Sequence, residues 1–113
     1  MYIHPHIAMM VDGKQIVIPK DIGISPLLWK EHTLDKFGMQ AMPEMGMSGM
    51  APLHTHDDSG IIHVESTKNR NYTLGEFLNI WGGLNFENKL VNATIDGKPI
   101  TDYNNVILEI IRR

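Results

Sequence analysis

The chain has 113 residues, is 42% hydrophobic and carries a formal net charge of −3, which suits one domain spanning residues 1–113 around a single core. Apart from the terminal Arg112-Arg113 its Lys and Arg are scattered, so it offers no basic face for nucleic acid, and no run of about 18 apolar residues is present to span a membrane. It has no cysteine, which excludes disulfides, thiolate-bound zinc, iron–sulfur clusters and thiol catalysis.

Taken in order, Ile3 to Met10 alternates, with Ile3, Pro5, Ile7 and Met9 on one face and His4, His6 and Ala8 on the other. That is the pattern of a half-buried strand, in which His4 and His6 share a side about 7 Å apart. Pro5 lacks a backbone donor and marks a sheet edge or a strand start. Asp12-Gly13 signals a tight hairpin, and Gln15 to Pro19 reads as the returning strand. Leu27 to Phe37 has weak helical character, begun by Ser25-Pro26 and ended by Gly38, with a short turn starting at Thr33 to Lys36 as the alternative. Met39 to Pro52 contains two prolines and two glycines and forms no regular element.

Leu53 to Asp57 and Ile61 to Glu65 read as two arms of a hairpin turning at Asp57-Asp58-Ser59-Gly60. On the second arm Ile61, His63 and Glu65 share one face and Ile62 and Val64 the other. The clearest helix is Tyr72 to Gly82: Thr73 caps it, Glu76 completes a capping box and Gly82 stops it. Leu74, Phe77, Leu78 and Trp81 are its expected buried stripe. Leu90 to Ile95 is a strand, Asp96-Gly97 a second hairpin turn, Lys98 to Thr101 the return, and Val106 to Ile111 a last strand. The expected fold is α+β: a small, mainly antiparallel twisted sheet with one well-defined helix, in a β-grasp-like order of hairpin, helix and strands.

The chemistry concentrates between His54 and Glu65, which hold three of the six histidines. Imidazole binds copper, zinc, nickel or iron. Two histidines at i and i+2 on a strand face one side and can share an ion, a spacing met by His54 and His56 and again by His4 and His6. The hairpin would bring His63 against the first pair, so His54, His56 and His63 are the expected core ligands, with His4 and His6 joining that site or forming a second. Asp57, Asp58 and Glu65 are ligands or orient a ring nitrogen. His32 reads as a surface residue.

Five of the eight methionines, Met39, Met42, Met45, Met47 and Met50, precede this cluster. Thioether sulfur favours Cu(I) and, unlike thiolate, survives an oxidising compartment. Met45, Met47 and Met50 lie nearest the histidines and are the expected thioether donors. The bland reading of this run is an adaptable apolar loop. Binuclear hydrolases carry HxHxDH, but Ser59 stands where the last His belongs, and the Glu that follows a cupin HxH is replaced here by Asp58 to Gly60. No phosphate-binding loop or nucleophile elbow appears.

The runs His4-Pro5-His6, Leu53-His54-Thr55-His56-Asp57, Gly60-Ile61-Ile62-His63-Val64-Glu65-Ser66 and Tyr72-Thr73-Leu74-Gly75-Glu76-Phe77 with Ile80-Trp81-Gly82 together resemble a group of small exported His-rich domains of archaea and bacteria, common in ammonia-oxidising archaea. The resemblance implies an exported, copper-associated protein and supplies no reaction. The sequence thus points to a periplasmic or extracellular copper-binding protein, for Cu(I) or Cu(II), that stores, buffers or delivers the ion. Its partners would be copper ions and a copper-requiring protein, and HxH strands near an edge would allow an oligomer bridged by metal. The alternatives are a small metal-dependent redox enzyme and an interaction module with a structural zinc.

Overall fold

The alternation from Ile3 to Met10 is realised by one extended segment that serves two sheets. In the computed structural model, which describes residues 2–39, 49–82, 89–100 and 102–108, Pro5, Ile7 and Met9 are buried while His4, His6 and Met10 are exposed. The segment begins as β1 (Tyr2–Ile3), antiparallel to β5 (His63–Glu65) with Ile3 opposite Val64. The same register continues beyond β1. The Pro5 carbonyl accepts from Ile62 N–H at 2.9 Å, His6 faces Ile61, and Ile7 N–H donates to the Gly60 carbonyl at 2.8 Å. From Ile7 the segment becomes β2 (Ile7–Val11), paired with β6 (Val91–Ile95). His6 makes the handover: its carbonyl accepts from Asp96 N–H at 2.8 Å and its own N–H donates to Asp96 Oδ1 at 2.9 Å.

With β3 (Lys14–Gln15), β4 (Leu53–His54), α1 (Leu74–Trp81) and β7 (Lys98–Ile100), the strands form a sheet ordered β1-β5-β4 and a second ordered β3-β2-β6-β7. Every described pairing is antiparallel, and the fold is α+β. The hairpin–helix–hairpin order read from the sequence is present, with the three-stranded sheet set between. Both Asp-Gly signals are two-residue turns with positive φ at each central residue, Asp12 and Gly13 in one, Asp96 and Gly97 in the other, which matches the twist of the strands they join. The first return strand is shorter than expected. It ends at Gln15, and after Ile16 N–H donates to the Met9 carbonyl at 3.0 Å the chain leaves the sheet.

Helix α1 has the expected cap. The Thr73 side chain accepts from Glu76 N–H, Glu76 accepts from Thr73 N–H at 2.8 Å, and Gly82 ends the helix in the left-handed region. Its buried residues are Leu74, Gly75, Phe77, Ile80 and Trp81, so Ile80 takes the place expected of Leu78, which is half-buried. Arg70 braces the cap. Its guanidinium lies 4.3 Å over the Tyr72 ring and donates to Glu76 Oε2 at 2.9 Å.

The helix expected over Leu27 to Phe37 is two separate 3₁₀ turns, Pro26–Leu28 and Asp35–Phe37. Ser25 makes no capping bond, Trp29 leaves the helical region at φ −144° and ψ 85°, and Lys30 N–H donates to the Ile80 carbonyl of α1 at 2.7 Å instead of continuing a helix. Val106 to Leu108 runs beside the start of α1, with Leu74 N–H bonded to the Val106 carbonyl and Leu108 N–H to that of Tyr72. Residues 109–111 of the last expected strand lie outside the described residues. Ile7, Met9, Leu53, Val64, Phe77 and Ile95 meet in one apolar cluster drawn from both sheets and the helix. Among the described residues no helix is long and apolar enough to cross a membrane.

Candidate metal centre

Strand register builds the centre. In the small sheet Leu53 lies opposite Val64 and His54 opposite His63. Leu53 and Val64 enter the core, and the alternation sends both histidines to the other face. On the far side of β5, Ile3 opposite Val64 and His6 opposite Ile61 place His4 across from His63. Three histidines from three adjacent strands therefore form a row. The His54 and His63 rings are 5.9 Å apart and 7° from parallel, and His63 and His4 are 6.3 Å apart at 20°. His56, two residues beyond His54, stands edge-on to both neighbours, 4.8 Å from His54 and 4.6 Å from His63.

His54 lies on the outward face of its sheet yet is only 1% exposed. Residues 21–23 run along the free edge of β4 and cover it. Asp21 N–H donates to the Thr55 carbonyl at 3.0 Å, Thr55 N–H to that of Ile22 at 3.1 Å, and Ala51 N–H to that of Gly23 at 2.8 Å. Gly23 allows this approach, because its φ is +74° and a Cβ there would sit 2.6 Å from the Leu53 carbonyl oxygen and 3.2 Å from the His54 Cβ. Buried Thr55 pins the same loop: its hydroxyl donates to the Pro19 carbonyl at 2.7 Å and accepts from Ile22 N–H at 3.1 Å.

The His54 ring is oriented by the backbone. Its Nδ1–H donates to the Ala51 carbonyl at 2.8 Å, and Nε2 stands 3.1 Å from Glu65 Oε1. Burial holds the His54 pKa below the ordinary histidine value, against the opposing pull of the Ala51 carbonyl and the Glu65 charge. The favoured state is thus a neutral ring whose Nδ1 carries the proton, with the Nε2 lone pair facing a carboxylate. Two acceptors at that distance repel unless a cation joins them, and burial disfavours making that cation an imidazolium. A ring nitrogen oriented by a carbonyl behind it is the usual preparation of a metal-binding histidine.

His54, His56 and Glu65 each present one donor atom, and the three atoms lie within 4.8 Å of one another, a group that could hold a metal ion. Adjacent ligands bound at about 2.0–2.1 Å stand roughly 2.9–3.4 Å apart, so the 3.1 Å between His54 Nε2 and Glu65 Oε1 already has the right span. No protein-family model, curated protein or solved structure matches this chain. The donor set is therefore read from its own geometry. Two imidazoles and one carboxylate are borderline-to-hard donors suited to divalent copper, zinc, nickel or iron.

The remaining expected residues are distributed as follows. The His63 and His4 rings adjoin the group but lie outside its triangle of donor atoms. Burial, with the neighbouring His56 and His54, holds the His63 pKa below its ordinary value. His6, although two residues from His4, turns to the hairpin tip, where Nε2–H donates to the Ser59 carbonyl at 2.8 Å. Asp57 is taken up by the same turn. The Ser59 hydroxyl and N–H both donate to its carboxylate and hold its pKa below the usual carboxylate value. Exposed His32 stacks on Trp29 at 4.9 Å and donates from Nδ1 to Asp35 Oδ2 at 2.8 Å. Met50 is half-buried and bridges to Met39 through a reciprocal backbone pair of 2.9 and 3.0 Å. Met42, Met45 and Met47 lie outside the described residues.

Three parts of the centre have weaker signals in the sequence. Glu65 shares the strand face of His63, so its side was legible, but its diagonal reach to His54 depends on the register. Thr55 sits between two outward histidines, and a hydroxyl on the core face requires partners. The role of the Ala51 carbonyl leaves no side-chain trace.

Proposed function

We propose that this chain is an exported copper-binding protein that stores, buffers or delivers the ion, with His54, His56 and Glu65 as its binding core. The observation that carries metal binding is the buried His54 ring, fixed through Nδ1 on the Ala51 carbonyl so that Nε2 faces Glu65 at 3.1 Å. Copper is supported by chemistry. A nitrogen–oxygen site binds Cu(II) most tightly among the divalent first-row ions, and the methionines at 39, 42, 45, 47 and 50 add Cu(I)-type donors to the same stretch of chain. Export is supported by the absence of cysteine beside so many thioethers, and by the resemblance of the HTHD and GIIHVES runs to exported domains. Isothermal titration with Cu(II) and Zn(II) tests the reading. Wild type should bind one equivalent of Cu(II) more tightly than Zn(II), and His54→Ala with His56→Ala should abolish it. Undiminished binding in that double variant would sink the assignment.

The donor set favours one rival. Two histidines and a carboxylate are also the ligands of catalytic zinc and non-haem iron sites, which keep coordination positions open. An iron-loaded protein that binds nitric oxide as a fifth or sixth ligand, with an iron affinity matching that for copper, would favour this metal-enzyme reading.

A further inference from the structure

The row of histidines has a gradient that the binding triangle alone does not need. His4 is exposed, His63 half-buried and His54 buried, while the successive rings are 6.3 Å and 5.9 Å apart and within 20° of parallel. His63 sits opposite both of the others, one on each neighbouring strand, and within 4.6 Å of the exposed His56. It therefore adjoins His4, His54 and His56, with ring centroids 4.6 to 6.3 Å away, while standing outside the donor triangle.

Resting on the metal-binding reading above, we infer that His4 and His63 form a stepwise access route that passes a divalent transition-metal ion between solvent, or a donor chelate, and the His54–His56–Glu65 triangle. The physical need follows from burial. Exposed His56 and half-buried Glu65 can meet an ion at the surface, but to reach the buried Nε2 of His54 it must shed further waters, and an incompletely compensated charge near a buried position is costly. Imidazoles at graded depth replace waters one at a time, so the ion always keeps ligands. Each move exchanges one metal–ligand bond for another, with no redox change and no net proton transfer. The fold holds the route in register: Ile3 opposite Val64 and Leu53 opposite Val64 lock the three strands, and core packing of Leu53 and Val64 forces the histidines to the shared outer face.

The test is the kinetics of Cu(II) loading and of its extraction by EDTA, measured by stopped flow on the full chain. The variants are His4→Ala, His63→Ala and the double variant, with His63→Gln as a second substitution that keeps side-chain bulk. Equilibrium affinity should stay within about threefold of wild type in all of them. Loading and extraction should each slow by about tenfold in His63→Ala and His63→Gln and by less in His4→Ala. The double variant should be no slower than His63→Ala alone, because His4 feeds the centre through His63. Unchanged rates, or effects of the two residues that multiply, overturn the route. So does an affinity loss in His63→Ala as large as that in His54→Ala, which would make His63 a resting ligand. If His54→Ala with His56→Ala binds as wild type does, the metal centre itself falls, a failure distinct from unchanged rates around an intact site.

Discussion

Glu65→Gln separates the two ways in which the buried His54 can be satisfied. An amide in place of the carboxylate can donate to the Nε2 lone pair, so the metal-free variant should melt at or above the wild-type temperature. The same change removes the one anionic donor of the triangle, and Cu(II) affinity should fall by about 10- to 100-fold. Melts and competitive titration read both, and a destabilised variant with full affinity would mean that an imidazolium–carboxylate pair, not a binding site, is what the geometry serves. A pH series tests the neutral ring. His54 and His63 are both held below the ordinary histidine pKa of 6.5, chiefly by burial. As pH falls the unfolded chain takes up these protons first, so the two rings cost nothing above about 6.5 and destabilise the fold progressively below it. The melting temperature of the metal-free protein should be level above that pH and decline beneath it, and a rise on acidification would contradict the assignment.

At the scale of elements, the hairpin tip and the helix cap should respond differently to substitution. Gly60 has φ +89°, and a Cβ there would run into the Ile7 carbonyl oxygen, just where β5's partner passes from one sheet to the other. Gly60→Ala should cost roughly 1–3 kcal/mol and weaken copper binding with it, because the turn it shapes returns β5, and with it Glu65, against His54. Thr73→Ala removes the α1 cap for about 1 kcal/mol and should leave copper affinity unchanged, since α1 contributes no side chain to the centre. Denaturant unfolding beside titration distinguishes the two. Period and punctuation made most elements legible: both Asp-Gly hairpins, the capped helix and the outward face of His54, His56 and His63 follow from local pattern alone. What local pattern cannot carry is partnership. Where a helix is expected, Lys30 N–H is bonded to the distant Ile80 carbonyl between two 3₁₀ turns, and the choice of β1 rather than β2 as the neighbour of β5 is what aligned His4 with the row and turned His6 toward Ser59. Each depends on contacts distant in sequence.

For the molecule as a whole, an ion held by residues from β4, β5 and the turn between them binds the folded chain and not the unfolded one. At a hundredfold excess over its dissociation constant it should add about 2.7 kcal/mol, seen as a rise of roughly 10 °C in melting temperature for a chain of this size. Calorimetry without Cu(II), with free Cu(II) held at that excess, and after chelation checks the rise and its reversal. The segment from Tyr2 to Val11 answers to two partners at once, residues 60–65 in one sheet and residues 91–95 in the other. Removing or adding a single residue between His4 and Ile7 would break one set of pairings to keep the other, turning either His4 inward or Ile7 and Met9 outward. Among descendants of this sequence, identities along that stretch are free to drift within their faces, but its length is frozen.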